Sequence, residues 1–199
     1  MAVGKFFHRP NSEQQERVPP GQHLAKGFPV LTYGDTPQIS LDSWTFNVWG
    51  LVEAQQFRWA EFMSLPQSTF TVDFHCVTRW SKLDLNWRGI AISHLLEQLS
   101  IPEAVTHVLQ HCYGGYTTNI SLADLQRADC FFAFGLEGET LSPEHGGPLR
   151  TILPHLYAWK SAKWINGFEF LSVDEPGFWE RNGYHHRGDP WQQERYAVR

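Results

Sequence analysis

Apolar and polar residues alternate in several short stretches of this chain, and a two-residue period predicts strands with one buried face. Ser68 to Phe74 places Phe70, Val72 and Phe74 on one side; Leu41 to Leu51 does the same with Trp44, Phe46 and Val48. Ala104 to Gln110 and Trp164 to Val173 alternate as well, while Cys130-Phe131-Phe132-Ala133-Phe134 is apolar throughout and predicts a buried strand. Helical spacing is confined to Phe57 to Leu65, stopped before Pro66, and to Ile90 to Leu99. Ser121 with Asp124 three residues on is a weak helix-start signal. Tyr113 to Ile120 predicts a glycine-hinged loop loaded with hydroxyls, and Ser142 to Pro148 a loop ending in Gly146-Gly147-Pro148.

Residues 1–20 are polar, made mildly basic by Lys5, Arg9 and Arg17, and predict an extended N-terminal arm ended by the Pro19-Pro20-Gly21 turn. Residues 21–199 then form a single domain, with no internal repeat or low-complexity break. The tail from Asp174 carries Phe178, Trp179, Tyr184 and Trp191, rings that need somewhere to bury, so an ordered wrap is expected.

At 199 residues the chain is long enough for a full core without staples, and its 9 Trp and 14 Phe favour an aromatic, β-rich interior. The formal charge of −5 argues against a general nucleic-acid binder but leaves room for a local basic pocket. Cys76, Cys112 and Cys130 are odd in number and far apart, which suggests neither a disulfide scaffold nor a structural zinc site. No apolar run is long enough to span a membrane and no export signal is visible, so the expected setting is cytoplasmic, without a membrane.

Candidate chemistry starts at Phe74-His75-Cys76-Val77-Thr78-Arg79-Trp80-Ser81. A cysteine closing a strand before a polar turn is placed to offer its sulfur to a cavity, and a thiolate suits a soft or redox-active metal. Taken alone, Cys76 reads more readily as a small buried hydrophobe than as a ligand, and the rest of the chain has to reverse that. Two further segments carry groups suited to an anion: the hydroxyl loop Tyr116 to Asn119, and the run from His145 through Arg150 to Ser161-Ala162-Lys163. Arg150 offers a planar fork, Lys163 a compact charge, and the backbone N–H groups around Ser161 further donors. Each charge-assisted contact is worth about 1.5–3 kcal/mol.

Several motifs together resemble the oxidoreductase molybdopterin-binding domain of the sulfite oxidase superfamily. They are Asp73 to Ser81 with Trp87-Arg88-Gly89, Gly115-Tyr116-Thr117-Thr118-Asn119, Pro143 to Arg150, Tyr157 to Trp164, Pro176-Gly177-Phe178-Trp179-Glu180 and Gly183 to Trp191. The resemblance runs from about Pro19 onward. It implies an α+β fold of mixed, twisted β-sheets with a few helices, and a molybdopterin-dependent oxidoreductase performing two-electron oxygen-atom transfer. By the same resemblance Cys76 is the molybdenum ligand. His75, Tyr116, Thr118, His145, Arg150, Ser161, Ala162 and Lys163 join it in holding the cofactor, Arg150 and the Ser161-Ala162-Lys163 turn taking the terminal phosphate. Some relatives have asparagine where this chain has His145. Arg79 stands where many carry a smaller residue, which implies a more basic pocket mouth and a catalytic part for Arg79, with His185, His186 and Arg187 as lid candidates.

The implied substrate is a small molecule, an oxyanion or a sulfoxide. No haem domain or extra dimerisation domain is recognisable, so a separate electron carrier is expected. Competing readings are a sulfoxide reductase on the same centre, a non-catalytic relative serving as an interaction module, and a zinc protein using Cys76, His75, His111 and Cys112, whose spacing is poor for it.

Overall fold

The structure is a computed structural model that describes residues 12–197 and the backbone of Phe7–His8. Of the expected arm, the rest of residues 1–11, including Lys5 and Arg9, lies outside the described residues. Strand β1 (Phe7–His8) pairs with β2 (His23–Ala25), and α1 (Ser12–Gln15) makes one helical turn between them, so the segment is not extended throughout.

Two mixed sheets carry the fold. The first is organised on β6 (Trp80–Ala91), a 12-residue strand. One edge of β6 pairs antiparallel with β5 (Gln67–His75). Its other edge is shared by β2, parallel at Trp80 and Ser81, and by β9 (Phe131–Leu136), antiparallel from Trp87 to Ala91. Strands β10 (Glu139–Thr140) and β11 (Arg150–Ile152) continue beyond β9. The second sheet runs β4 (Gln55–Arg58), β3 (Thr45–Gly50), β12 (Ile165–Leu171), β7 (His107–Cys112), β8 (Thr117–Ser121), with β12 and β3 parallel. The helices are single turns or little more: α2 (Trp59–Phe62), α3 (Ile92–Leu96), α4 (Leu122–Leu125) and α5 (Phe178–Arg181). The α+β class of mixed sheets with few helices holds.

Strand β9 explains the layering. Phe132 and Phe134 point into the core between the sheets, where Phe132 meets Phe46 and Phe168 at ring distances of 5.4 Å. Phe131 and Ala133 point the other way, into a second cluster with Phe74, Trp80, Trp87, Ile152 and Tyr157. An unbroken apolar run is what a strand covered on both faces requires. Ile90 to Leu99 departs from expectation, because Ile90 and Ala91 finish β6 and only Ile92–Leu96 is helical. Thr117 to Ile120, expected as loop, pairs with β7 as β8, its buried hydroxyl and amide groups being satisfied by side-chain partners.

The tail packs as a wrap, though Trp191 stays 45% exposed. Gly177 lies so close to Thr117 and Thr118 of β8 that a Cβ would collide with backbone, which lets α5 seat directly on that strand.

Candidate functional site

Cys76 stands at the tip of the β5–β6 hairpin. Its N–H donates to Trp80 O at 2.8 Å, its carbonyl accepts from Arg79 N–H at 3.0 Å and from Gln22 Nε2 at 3.1 Å, and Arg79 closes the turn at φ 73°. The backbone is thus pinned on both sides of the sulfur. Sγ accepts from Thr78 Oγ1 at 3.1 Å. Burial pushes the thiol up, and the Thr78 hydrogen bonds and the charge of Arg195 oppose this.

The sulfur faces a cleft enclosing about 990 Å³, part of it open to solvent. Of the expected cofactor residues, Cys76, Tyr116, His145, Arg150, Ser161, Ala162 and Lys163 all line it, although more than eighty positions of sequence separate Cys76 from Lys163.

Arg150 is 2% exposed, and its guanidinium is fixed only by carbonyls: Nη1 donates to His145 O at 2.7 Å, Nη2 to Ser161 O at 2.8 Å and Nε to Thr151 O at 3.5 Å. It lies against the rings of Phe74 and Trp87. Lys163 Nζ likewise donates to carbonyls, of Leu31 at 2.9 Å and Glu144 at 2.5 Å. Neither cation has a carboxylate within salt-bridge distance among the described residues. Burial pulls Arg150 down to about 9; burial and then the Arg150 charge pull Lys163 down to about 8. Two cations turned toward a cleft without carboxylate partners make an anion site.

His145 stacks on Phe28 at 4.6 Å, its pKa lowered by burial and by the two cations, and Tyr116 donates its hydroxyl to Trp159 O at 2.7 Å. The donors expected around Ser161 are mostly spent inside the protein. Ser161 N–H goes to Ala158 O, Ala162 N–H to Thr151 Oγ1, and Ser161 Oγ accepts from Leu153 N–H, leaving that hydroxyl's own proton for the cleft.

Other expected residues stand elsewhere. His75 sits on the far side of the hairpin with Nδ1 2.8 Å from Ser81 Oγ. Thr118 is fully buried and donates to Glu180. Arg79 is outside the cleft lining, its Nη1 beside Gly21, because the left-handed turn sends its side chain backward; the basic mouth expected from it is absent. His185 and His186 pair within the tail, with Glu194 and Asp174, Arg187 ties the tail to Asp124, and none of the three reaches the cleft. Nor do the residues of the zinc reading gather: His111 pairs with Glu169 at 2.9 Å while His75 faces Ser81.

Sequence reasoning missed the aromatic mouth of Tyr33, Trp179 and Tyr184, and the fully buried pair Lys160 and Glu180 behind it. The tail's ring content pointed to burial but not to this wall.

A hairpin-tip thiol and two carboxylate-free cations around one aromatic cleft define a domain for a bulky anionic, metal-bearing group. The donor set fits molybdopterin with its metal: a soft thiolate for the metal, and a fork and a point charge for a phosphate. The family model described as oxidoreductase molybdopterin binding domain matches residues 33–179, and the chain belongs to that family. It is 43% identical over 188 residues to the uncharacterized oxidoreductase YuiH of Bacillus subtilis, covering 94% of this chain and 95% of that protein. It is 26% identical over 170 residues to the putative protein-methionine-sulfoxide reductase subunit YedZ1 of Azospira oryzae and 25% identical over 194 residues to sulfite oxidase of Arabidopsis thaliana. These alignments take in 83% and 79% of this chain but only 64% and 49% of those two relatives. The sulfane dehydrogenase SoxCD of Paracoccus pantotrophus shares the fold, with a TM-score of 0.67 at 14% identity over 92% of this chain and 57% of that one. No helix among the described residues is long and apolar enough to cross a membrane.

Proposed function

We propose that this protein is a molybdopterin-dependent oxidoreductase of sulfite-oxidase type, with Cys76 as the protein ligand of molybdenum. The observation that carries the reading is the convergence of the Cys76 sulfur with the carboxylate-free cations Arg150 and Lys163 on one cleft. When bound, a pterin-held molybdenum centre supplies two-electron oxygen-atom transfer. The chain's own residues do the rest. Cys76 presents its sulfur from a pinned hairpin tip, with Thr78 favouring the thiolate. Arg150, Lys163 and the Ser161 hydroxyl hold the terminal phosphate, while Ala162, Tyr116 and His145 shape the wall beside it. His75 and Thr118 support this wall from behind, through Ser81 and Glu180. Tyr33, Trp179 and Tyr184 restrict water at the mouth. Electrons pass to or from a separate carrier.

A sulfoxide or comparable neutral substrate is favoured over an oxyanion by one observation: Arg79 is turned away, and apart from the two phosphate cations no Lys or Arg lines the cleft.

The test is metal and pterin analysis of protein made in a host that synthesises the cofactor. Stoichiometric molybdenum with pterin, lost in Cys76→Ser, is expected; metal-free protein, or full activity in Cys76→Ser with normal molybdenum, overturns the assignment. Rates of sulfite oxidation and of sulfoxide reduction with artificial electron carriers then separate the two substrate classes.

A further inference from the structure

Away from the cleft, three ligand-type side chains meet where the turn opening β9 approaches the loop after β11. Asp129 and Cys130 come from the turn and His155 from the loop, and one ligand-capable atom from each lies within 4.8 Å of the others. No other such group occurs among the described residues. His155 places Nε2 3.2 Å from Asp124 Oδ1, while its Nδ1 is buried with no hydrogen-bond partner. The Cys130 sulfur is buried at the edge of the core and donates its S–H to the Asp124 carbonyl at 3.3 Å. Asp129 is 40% exposed and gives the group its access to solvent.

We propose that Asp129, Cys130 and His155 form a zinc-class divalent metal site separate from the molybdopterin cleft, with water as the fourth ligand. A thiolate, an imidazole and a carboxylate are the three donor types zinc accepts. Asp124, held ionised by hydrogen bonds from His155 and Arg187, accepts a hydrogen bond from His155 Nε2–H, which leaves the unpartnered Nδ1 as the ring atom open to a metal. Asp124 is therefore the positioning residue. Bonds of about 2.0–2.3 Å at tetrahedral angles require donors roughly 3.3–3.7 Å apart. With the three atoms within 4.8 Å, the group needs to close by at most about 1.1–1.5 Å, to which rotation of the half-exposed Asp129 contributes once it leaves Arg127, a partner water screens. Binding converts the Cys130 thiol to thiolate and releases its proton to solvent. The ion would join the start of β9 to the end of β11 and, through Asp124 and Arg187, to the C-terminal wrap.

The test uses full-length, cofactor-loaded protein, in which Cys76 is engaged. Zinc is titrated by equilibrium dialysis after chelator treatment, and cobalt(II) replaces it for spectroscopy. The expected result is stoichiometric zinc that the chelator removes without loss of molybdenum, and a thiolate-to-cobalt charge-transfer band. His155→Gln and Asp129→Asn should weaken zinc at least about tenfold, Asp124→Asn about 10–100-fold, and Cys130→Ser should erase the band. Zinc binding that is absent in the wild type, or equal in the wild type and all variants, overturns the site. Asp129→Asn alters an exposed residue, so it keeps the test decisive where a buried variant fails to fold.

Discussion

The ammonium of Lys160 lies 2.7 Å from the carboxylate of Glu180, and neither side chain has any exposed surface. Burial lowers the Lys160 pKa, and the Glu180 charge opposes the shift. Glu180 Oε1 also accepts from Thr118 Oγ1 at 3.0 Å and Trp159 Nε1 at 2.8 Å, while Lys160 reaches Asn119 and the His186 carbonyl. The pair therefore fastens α5 and the tail to β8 and the cleft wall. Removing one partner strands a buried charge, so Glu180→Gln or Lys160→Met should cost about 3–5 kcal/mol. Lys160→Met with Glu180→Gln together should cost less than the sum of the singles. Denaturant unfolding of the singles and the double measures both.

His75 should govern part of the acid sensitivity. Its burial pulls the pKa from an ordinary 6.5 to about 4. The unfolded chain therefore takes up a proton that the folded chain refuses, and the contribution present above pH 6.5 is lost as pH falls through about 4. A shift of this size is worth about 3 kcal/mol. His75→Gln, which keeps a neutral partner for Ser81, should flatten the stability profile between those pH values in unfolding experiments.

For the anion site, Arg150→Ala and Lys163→Ala should each weaken cofactor retention roughly tenfold to a hundredfold, the loss of one charge-assisted contact. The Lys163 ammonium is neutralised as pH rises through about 8. Inorganic phosphate binding to cofactor-free protein should accordingly fall above that pH, and Lys163→Arg should carry the fall to higher pH. Calorimetric titration across pH reads both effects.

Gly177→Ala places a methyl group where Thr117 and Thr118 stand. The tail must back away from β8, at about 1–3 kcal/mol. Limited proteolysis should then cut after Asp174 faster than in wild type, while an unchanged digestion pattern would show that the strand yields instead.

Much of this fold is legible in local sequence because the strands alternate or are wholly apolar, as at β5 and β9. The β6 strand carries the same signal, Leu83, Leu85 and Trp87 alternating with Lys82, Asp84, Asn86 and Arg88, but its pairing with three neighbours is a non-local fact. Cys76 and the cations could be chosen by chemical type and by motif. Arg79 could not be placed, since the sign of one φ angle decides which way it points. Nothing local to Lys160 marks it as buried, and only the distant Glu180 makes it a core residue.

The walls of the cleft are drawn from Phe28 at one extreme and Tyr184 at the other. A growing polypeptide therefore has no container to offer until it has been made as far as Tyr184. Whatever settles against Cys76 must arrive as a guest of a chain already folded around both ends of that wall.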